Sequence, residues 1–418
     1  MSARVLLCAA VAVLAATPGA TEHSSGSAVQ RTFLREPTGP AFPASSRWAI
    51  DMMDLPAAWD ITTGGAPGPL IAVIDTGVHI TPDLVGRVVA ESLVGADPAS
   101  DAAGHGTKVA GGVAASGADG IGLAGVCWSC RILSLQVSTG GTVSADLIAA
   151  AVNRAVARGA VVINLSLGAD LHTNAERDAI ARAVAAGVVV VAAAGNDGTL
   201  TPQFPAAYAG VLAVGAADRD GTVASFSSHG PWVGVLALAC AGVLDARDLV
   251  DDAFCGTSAS APFVSGLAGL LKSLAPAAKG PDIIAAIQRS AHRAAGSAHG
   301  VVDAAAALVA IKKIKPGSTG QTKGALLRLV RRPMISGVGA VGARLAASTG
   351  DWSSPITSIA MHWERCTRTG RPCRTVSKSS TYRIVRPDRG KAIRVVVRAT
   401  GEDGVAVVAA SHLLPVRR

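Results

Sequence analysis

Residues 161–195, VVINLSLGADLHTNAERDAIARAVAAGVVVVAAAG, decide the fold, because they contain two strand patterns on either side of one helix pattern. The runs VVINLSL (161–167) and GVVVVAAAG (187–195) are β-branched and apolar on both faces, as buried parallel strands are. Between them, Thr173 followed three residues later by Glu176 is typical of a helix N-terminus. The segment therefore predicts a strand, a helix and a second strand in succession.

Three more apolar runs of this kind lie outside that unit. They are PLIAVID (69–75), RILSLQV (131–137) and GVLAVGA (210–216). The stretch SADLIAAAVNRAVARG (144–159) has helical apolar spacing and ends in a glycine. Strands that alternate with helices predict an α/β fold, a doubly wound and mostly parallel sheet with helices on both faces. Sheets of this type place their functional sites at the carboxyl ends of the strands.

The composition excludes several classes of protein. The chain has 418 residues, 50% of them hydrophobic, so one large domain with a smaller one is expected rather than a disordered or fibrous chain. The apolar run Val5 to Ala16 is shorter than the ~20 residues that span a bilayer. Aromatic residues make up only 3%, which argues against stacking of single-stranded bases. We therefore expect no membrane span and no nucleic-acid partner.

The C-terminal part of the chain has a different pattern. Residues 312–332 include several lysines, glycines and small polar residues and predict a flexible basic linker. Beyond the linker, apolar and polar residues alternate, so that Ile359, Met361 and Trp363 are predicted to lie on one face of a strand. Residues 333–418 therefore predict a small all-β sandwich of antiparallel strands.

Charge is divided unevenly between the two parts. Residues 312–418 carry 21 Lys and Arg against 5 Asp and Glu, a net charge of +16, and the other residues carry −7 of the total of +9. A basic terminal module could hold an anionic partner while the main domain acts separately. The alternative is a solvated positive face that only keeps the protein soluble, and the sequence leaves both open.

The N-terminus and the cysteines indicate an oxidising compartment. Met1 to Ala20 has a basic residue, an apolar stretch and then small residues, which predicts a secretory signal peptide. Residues 21–44 predict a linker or short pro-segment, so we expect a secreted protein, extracellular or associated with the cell wall. Six cysteines remain, an even number that such a compartment favours. They fall into three local couples: Cys127 with Cys130, Cys240 with Cys255, and Cys366 with Cys373. Structural disulfides are expected, with a redox or zinc motif as the alternative for the first couple.

Three polar residues stand where an apolar pattern would not place them. Asp75 ends a strand, His105 lies in the glycine-flanked segment GHGTKVAGG, and Ser258 opens a helix in CGTSASAPFVSGLAGLL. Singly, a turn, a loop and a helix cap would explain them. Together they supply a nucleophilic hydroxyl, an imidazole that removes its proton and a carboxylate that orients the imidazole. Asn196, in a Gly-Asn-Asp-Gly loop after a strand, adds an amide that can donate to a developing oxyanion.

With these four segments in view, the sequence resembles the subtilisin-like serine proteases, the subtilases, which have the order Asp, His, Ser along the chain. The resemblance covers about Trp48 to Ile311, and its most specific motif is GTS-x-S-AP around Ser258. It implies a protease domain over residues 45–311, with a serine endopeptidase activity that proceeds through an acyl-enzyme. By position it implies these roles: Asp75 as the orienting acid, His105 as the general base and then acid, Ser258 as the nucleophile, and Asn196 as the oxyanion donor.

The same resemblance implies how substrate binds. An extended polypeptide would add as a strand between two segments of the chain, which gives broad specificity because backbone pairing tolerates many sequences. The residues implied are Gly140, Gly141, Ser166, Leu167, Gly168, Gly195 and Asp197. Asp197, beside Asn196, leads to the hypothesis of a preference for a basic residue before the scissile bond.

Some features depart from the family pattern or remain unassigned. Lys108 and Phe263 stand where the family commonly has histidine, which puts specificity more in doubt than activity. The long propeptide of secreted relatives is expected to be absent. The reaction requires no cofactor and no metal, and family calcium sites are suggested only faintly by Asp83 and Asp119, which we do not assign. The glycines of GIGLAG (120–125) match a dinucleotide fingerprint but precede a strand rather than follow one, so nucleotide binding is not expected.

The stretch that contains WERCTRTGRPC (363–373) resembles a bacterial immunoglobulin-like module. The resemblance implies a core position for Trp363 and a face dominated by outward arginines. Attachment of this face to an anionic cell-wall polymer or glycan is one hypothesis, with a spacer role as the alternative. Two rival functions also stay open. One is a protease-shaped binding protein without turnover, and the other is a processing peptidase with a single physiological target.

Overall fold

The computed structural model describes residues 44–117, 124–169, 173–313, 329–352, 356–379, 381–401 and 406–417. The signal-peptide prediction for residues 1–20 and the GIGLAG motif fall mainly outside these ranges. The helices in the described residues are α1 (Ala44–Met52), α2 (Leu55–Ile61), α3 (His105–Ala114), α4 (Ala145–Ala157), α5 (Asn174–Ala185), α6 (Thr257–Leu274), α7 (Gly280–Ser290) and α8 (Ala304–Ile311). Within the described part of the chain, no helix combines the length and the apolar character that crossing a membrane requires.

A seven-stranded parallel sheet forms the centre of the first part, in the order β2-β3-β1-β4-β5-β6-β7. Its strands are β1 (Leu70–Asp75), β2 (Val88–Ser92), β3 (Arg131–Gln136), β4 (Val162–Leu165), β5 (Val189–Ala193), β6 (Val211–Ala217) and β7 (Val235–Leu238). The predicted α/β class with a parallel sheet is confirmed. The five predicted strands are β1, β3, β4, β5 and β6, and the structure adds β2 and β7 at the two edges.

Helices cover both faces of this sheet because successive residues of a strand point to opposite sides. In β1, Ile71 and Val73 belong to the core that includes α3, α6, α7 and α8. The alternate residues, Ala72 and Ile74, belong to the core that includes α4 and α5. Strands with both faces buried are apolar throughout, which explains the uninterrupted runs in the sequence.

The long helix α6 passes through the centre of one layer. It can pack closely because it carries glycine where neighbours approach: a Cβ on Gly269 would lie 2.7 Å from Cys130 Sγ and 2.8 Å from Ile71 Cδ1. Its first turn follows a β-hairpin made of β8 (Cys240–Leu244) and β9 (Val250–Cys255). The helix therefore connects the buried core to the chain segment in which Ser258 lies.

Antiparallel sheets make up the last part of the chain. Their strands are β10 (Leu329–Arg331), β11 (Ile335–Ser336), β12 (Arg344–Ala347), β13 (Asp351–Trp352), β14 (Ile356–Cys366), β15 (Cys373–Ser377), β16 (Thr381–Arg383), β17 (Ala392–Gly401), β18 (Ala406–Ala410) and β19 (Leu414–Pro415). The main sheet has the order β15-β14-β17-β18, and β19 pairs with β17. Trp363 is fully buried at the centre of this part and stacks on Tyr382, with 5.8 Å between ring centroids. The all-β character agrees with the prediction, whereas the immunoglobulin-like topology stays a prediction.

Candidate active site

Asp75 and His105 meet at the carboxyl end of β1. Asp75 is the last residue of that strand and is 5% exposed, and His105 is the first residue of α3. Gly104, with φ of +72°, turns the chain into the helix at a conformation that favours glycine. The distance between Asp75 Oδ1 and His105 Nδ1 is 2.7 Å. The carboxylate therefore holds Nδ1 of the imidazole and leaves Nε2 on the other side of the ring.

The surroundings of His105 favour its charged form on balance. Burial is the largest single effect and lowers the pKa of His105, but the hydrogen bond to Asp75 and the charges of Asp75 and Asp101 outweigh it. The nearby charge of Lys108 acts in the same direction as burial. The net result is a pKa of His105 above its ordinary value. An imidazole stabilised in this way can accept a proton and hold it next to the carboxylate.

Ser258 lies in the first turn of α6 and is linked to the end of β4. Its Oγ donates to the carbonyl oxygen of Ser166 at 3.2 Å, and Ser166 Oγ donates to the carbonyl oxygen of Ser258 at 3.1 Å. Among the hydrogen bonds of the described residues, Ser258 Oγ thus pairs with Ser166 and not with His105. The structure joins Asp75 directly to His105, and it joins Ser258 to the neighbouring strand.

A series of buried hydrogen bonds between side chains supports the contact between Ser258 and Ser166. Ser265 Oγ donates to Asn164 Oδ1 at 2.8 Å, and Asn164 Nδ2 donates to Ser166 Oγ at 3.0 Å. Asn164 and Ser265 are fully buried, so each polar atom needs a partner inside the protein. These hydrogen bonds tie β4 to α6 beneath Ser258.

Asn196 is held with one end of its amide fixed. Its Oδ1 accepts from the backbone N–H of Thr257 at 2.9 Å and from Thr257 Oγ1 at 3.0 Å. Thr257 Oγ1 in turn accepts from the backbone N–H of Gly195 at 3.1 Å. Because a backbone N–H can only donate, the oxygen of the amide must face Thr257. The Nδ2 donor therefore points away from Thr257.

A pocket of about 350 Å³ opens beside Ser258. It is lined by Leu167, Gly168, Ala169, Ala193, Gly195, Asn196, Asp197, Gln203, Thr257 and Ser258. The lining includes four further predicted site residues, Leu167, Gly168, Gly195 and Asp197. A fifth, Ser166, accepts the hydrogen bond from Ser258 Oγ. Gly140 and Gly141 are exposed in the loop after β3, with φ of +130° and +88°.

Two residues of this region were not anticipated from the sequence. Gln203 is 6% exposed, and its Nε2 donates to Asp197 Oδ2. Thr257 orients Asn196, as described above. Thr257 lies inside the GTS motif, which is a signal for it in the sequence, whereas nothing in the sequence places Gln203 opposite Asp197.

The backbone carbonyl oxygen of Asp83 is bound by a protein cation. The Arg87 guanidinium donates to the backbone carbonyl oxygen of Asp83, and also to those of Ala114 at 2.5 Å and Trp128 at 2.8 Å. A protein cation thus already occupies these oxygens. Asp119 lies outside the described residues.

Comparison with known proteins gives consistent matches for the first part of the chain. Residues 66–322 match the family model described as "Subtilase family". The "Thermophilic serine proteinase" of Bacillus sp. (strain AK1) is 42% identical over 247 residues, which cover 57% of this chain and 60% of that protein. "Thermitase" of Thermoactinomyces vulgaris is 36% identical over 265 residues, which cover 62% of this chain and 93% of that protein. A solved structure described as proteases from Pseudoalteromonas arctica has 26% identity and a TM-score of 0.59, covering 66% of this chain and all of that one.

Proposed function

Because this chain belongs to the subtilase family, we propose that it is a secreted serine endopeptidase that hydrolyses peptide bonds through Asp75, His105 and Ser258. The observation that carries the proposal is the 2.7 Å hydrogen bond between Asp75 and His105. A buried carboxylate on Nδ1 leaves Nε2 as the nitrogen that can take a proton, which is the arrangement a general base for a serine requires. Secretion rests on the signal-peptide pattern of residues 1–20.

The first step requires a change in the partner of Ser258. The proposal requires that rotation about the Cα–Cβ bond take Ser258 Oγ from the Ser166 carbonyl to His105 Nε2. Oγ then attacks the carbonyl carbon of the peptide, a C–O bond forms, and the hydroxyl proton passes to Nε2. The charge of Asp75 stabilises the imidazolium, consistent with the raised pKa of His105. The proton next goes to the leaving amine as the C–N bond breaks, and water hydrolyses the acyl-enzyme by the same route.

Two donors would stabilise the oxyanion of the tetrahedral intermediate. One is Nδ2 of Asn196, because Thr257 occupies the other end of the amide. The second is the backbone N–H of Ser258, since N–H groups in the first turn of a helix have no partner within the helix. Donors that are already oriented need no rearrangement when charge develops, which is why such groups accelerate acyl transfer.

Substrate would bind as an extended strand over the segment 166–168, with residues 140–141 on its other side. Ser166 is tied to Ser258 by two hydrogen bonds, so a peptide paired with this segment is held in a fixed position relative to the nucleophile. Recognition through backbone groups is sequence-tolerant and supports a broad endopeptidase. A narrow cleavage profile on casein-derived peptides would instead support a dedicated processing peptidase.

The pocket beside Ser258 would receive the side chain that precedes the scissile bond. Asp197 gives its rim a negative charge, but one carboxylate oxygen already accepts from Gln203. Asp197 is exposed, and exposed ion pairs contribute only ~0.2–1 kcal/mol, so we expect a preference for Arg over Ala of about fivefold at most. The kcat/KM values of matched peptides measure it. Asp197→Asn should abolish the preference. An unchanged ratio of kcat/KM for the Arg and Ala peptides in that variant would show that Asp197 does not determine it.

Covalent labelling separates a working protease from a protease-shaped binding protein. A fluorophosphonate probe reacts only with a serine whose proton is removed by a base. We expect labelling of the wild type, none in Ser258→Ala, and normal labelling in Ser273→Ala, a matched change near the other end of α6. If the wild type is not labelled but still binds peptides, the protein is a peptide-binding protein and not the proposed hydrolase.

A further inference from the structure

The hairpin formed by β8 and β9 lies directly before Ser258 in the chain. Its two ends are joined by the disulfide between Cys240 and Cys255, which also face each other in the strand register. Only Gly256 and Thr257 separate the closed end of the hairpin from Ser258. The proposed roles of Asp75, His105 and Ser258 make no use of this hairpin, although it is covalently closed and adjacent to the nucleophile.

Phe254 extends from the hairpin to the imidazole of His105. The ring centroids are 5.7 Å apart and the planes meet at 76°, an edge-to-face arrangement. Aromatic pairs of this geometry are favourable beyond the area that they bury. Phe254 is 6% exposed, so its ring is fixed by packing. The imidazole is therefore supported by Asp75 at Nδ1 and by an aromatic ring from the hairpin.

Lys108 attaches the same hairpin to the helix that His105 begins. Its Nζ is 3.1 Å from Asp251 Oδ2 on β9 and 5.4 Å from the centroid of the Phe254 ring. A second contact joins the tip of the hairpin to the loop after β1, where His79 Nε2 is 3.6 Å from Asp248 Oδ1. The hairpin thus contacts the segments on both sides of the Asp75–His105 pair.

We propose that the disulfide-closed β8–β9 hairpin is a positioning element for His105, with Phe254 supporting the ring and the Lys108–Asp251 pair fixing the hairpin on α3. Phe254, Lys108 and Asp251 are positioning residues, because they act on His105 and not on the reacting atoms. The inference rests on the proposed role of His105 as general base. It explains why a lysine stands at position 108 and why a disulfide closes this particular hairpin.

The charged groups that face His105 predict the direction in which the pKa of His105 should shift when each is removed. Asp75 from β1 and Asp101 from the preceding loop raise the pKa of His105, whereas Lys108 from its own helix lowers it. Asp251 on β9 offsets the charge of Lys108. Removing Lys108 should raise the pKa of His105, and removing Asp251 should lower it by leaving Lys108 uncompensated.

The acid limb of the kcat/KM profile reports this pKa, because the base must be neutral to accept a proton. We expect the limb to move to higher pH in Lys108→Met and to lower pH in Asp251→Asn. Arg154→Met is the control, since it removes an ion pair with Glu91 on another face and should leave the limb in place. Shifts of the same sign in both variants, or none in either, would overturn the electrostatic part of the proposal.

Substitution of Phe254 tests the support of the ring. Phe254→Ala should lower kcat about tenfold to a hundredfold with little change in KM, because a misplacement of ~1 Å can cost ~10² in rate. Phe254→Tyr keeps the ring and should restore most of the activity. Phe254→Leu covers the case in which the alanine variant fails to fold. A change confined to KM would mean that Phe254 contacts substrate and does not position His105.

Removal of the disulfide tests the hairpin as a whole. The double variant Cys240→Ala with Cys255→Ala should lower kcat, whereas Cys366→Ala with Cys373→Ala, which opens a hairpin in the all-β part, should not. Equal effects of the two double variants would contradict the proposal. His105→Ala separates the premise from the inference: retained activity there would refute the proposed function itself, whereas its loss with unaffected hairpin variants would refute only the positioning role.

Discussion

Thr257 fixes the orientation of a loop side chain, Asn196, through a single buried hydroxyl. The side chain accepts from Gly195 and donates to Asn196, so the strand end after β5 and the first turn of α6 are joined through one oxygen. An isolated asparagine on a loop would sample both directions of its amide. Here the carbonyl end accepts from Thr257, which turns the donor end away from Thr257 and makes it available for the proposed oxyanion contact.

The consequence can be measured with substitutions at Asn196 and Thr257. Asn196→Ala should lower kcat by about 10² to 10³, the loss typical of subtilisins in which one oxyanion donor is removed, with little effect on KM. Thr257→Val should cause a smaller loss, because the backbone N–H of Thr257 still holds the amide, and Thr257→Ser should retain most of the activity. Steady-state kinetics on a peptide substrate provides both constants. A Thr257→Val variant with unchanged kcat would show that the backbone bond alone orients Asn196.

The sequence singles out the candidate catalytic residues more readily than the residues that contact them. Asp75, His105 and Ser258 stand in motifs with unusual local composition, so each could be selected before the fold was known. Gln203 and Phe254 have no such motif. Their contacts with Asp197 and His105 depend on where separate loops and strands meet, which is a property of the tertiary structure.

At the scale of elements, the central strands were predictable and the edge strands were not. β1, β4 and β5 are buried on both faces, and this gives continuous apolar runs. β2 lies at an edge, is only partly buried and includes Glu91 and Ser92, so its pattern does not differ from that of a loop. The hairpin of β8 and β9 was also missed, since Asp245, Arg247 and Asp248 interrupt its apolar residues.

The predicted helix N-terminus at Thr173 is present in α5, but the Glu176 carboxylate bonds to another residue rather than to the cap. Thr173 Oγ1 accepts from the backbone N–H of Glu176 at 3.2 Å. The Glu176 carboxylate instead accepts from the Tyr208 hydroxyl at 2.8 Å. Burial raises the pKa of Glu176, although the hydrogen bond from Tyr208 opposes the shift. The pair connects the start of α5 to the segment before β6.

Substitution of Thr173 should lower the stability of the protein by a predictable amount. Thr173→Ala removes the acceptor and should reduce the free energy of unfolding by about 1 kcal/mol, the usual value for loss of an N-cap. Thr173→Ser keeps the hydroxyl and should cost little. Urea unfolding, followed in the Ser258→Ala background to prevent self-digestion, measures the difference. Equal stability of Thr173→Ala and Thr173→Ser would show that solvent replaces the cap.

The whole molecule combines an acidic α/β part with a basic all-β part. Some cations of the all-β part are neutralised internally: Arg365 pairs with the buried Asp388, and Arg394 with Glu364. Many others are exposed: Arg344, Arg368, Arg371, Arg374, Lys378, Arg383, Arg386, Arg389, Lys391 and Arg398. Arg344 and Arg383 stand directly opposite each other on β12 and β16. Like charges in that position destabilise a sheet, so an anionic partner would relieve the repulsion.

The sequence-based hypothesis of attachment to an anionic cell-wall polymer can be tested on the full chain. The Ser258→Ala protein should be retained on isolated cell wall at low salt and released as salt is added. At 0.1 M salt, attraction between exposed charges more than about 10 Å apart is largely screened. Arg344→Glu with Arg383→Glu should weaken retention strongly. Arg177→Glu with Arg182→Glu changes the net charge equally on α5 and should have a smaller effect, since those residues lie in the α/β part. Equal losses in the two double variants would indicate a response to net charge alone, and no retention at low salt would leave the all-β part as a spacer.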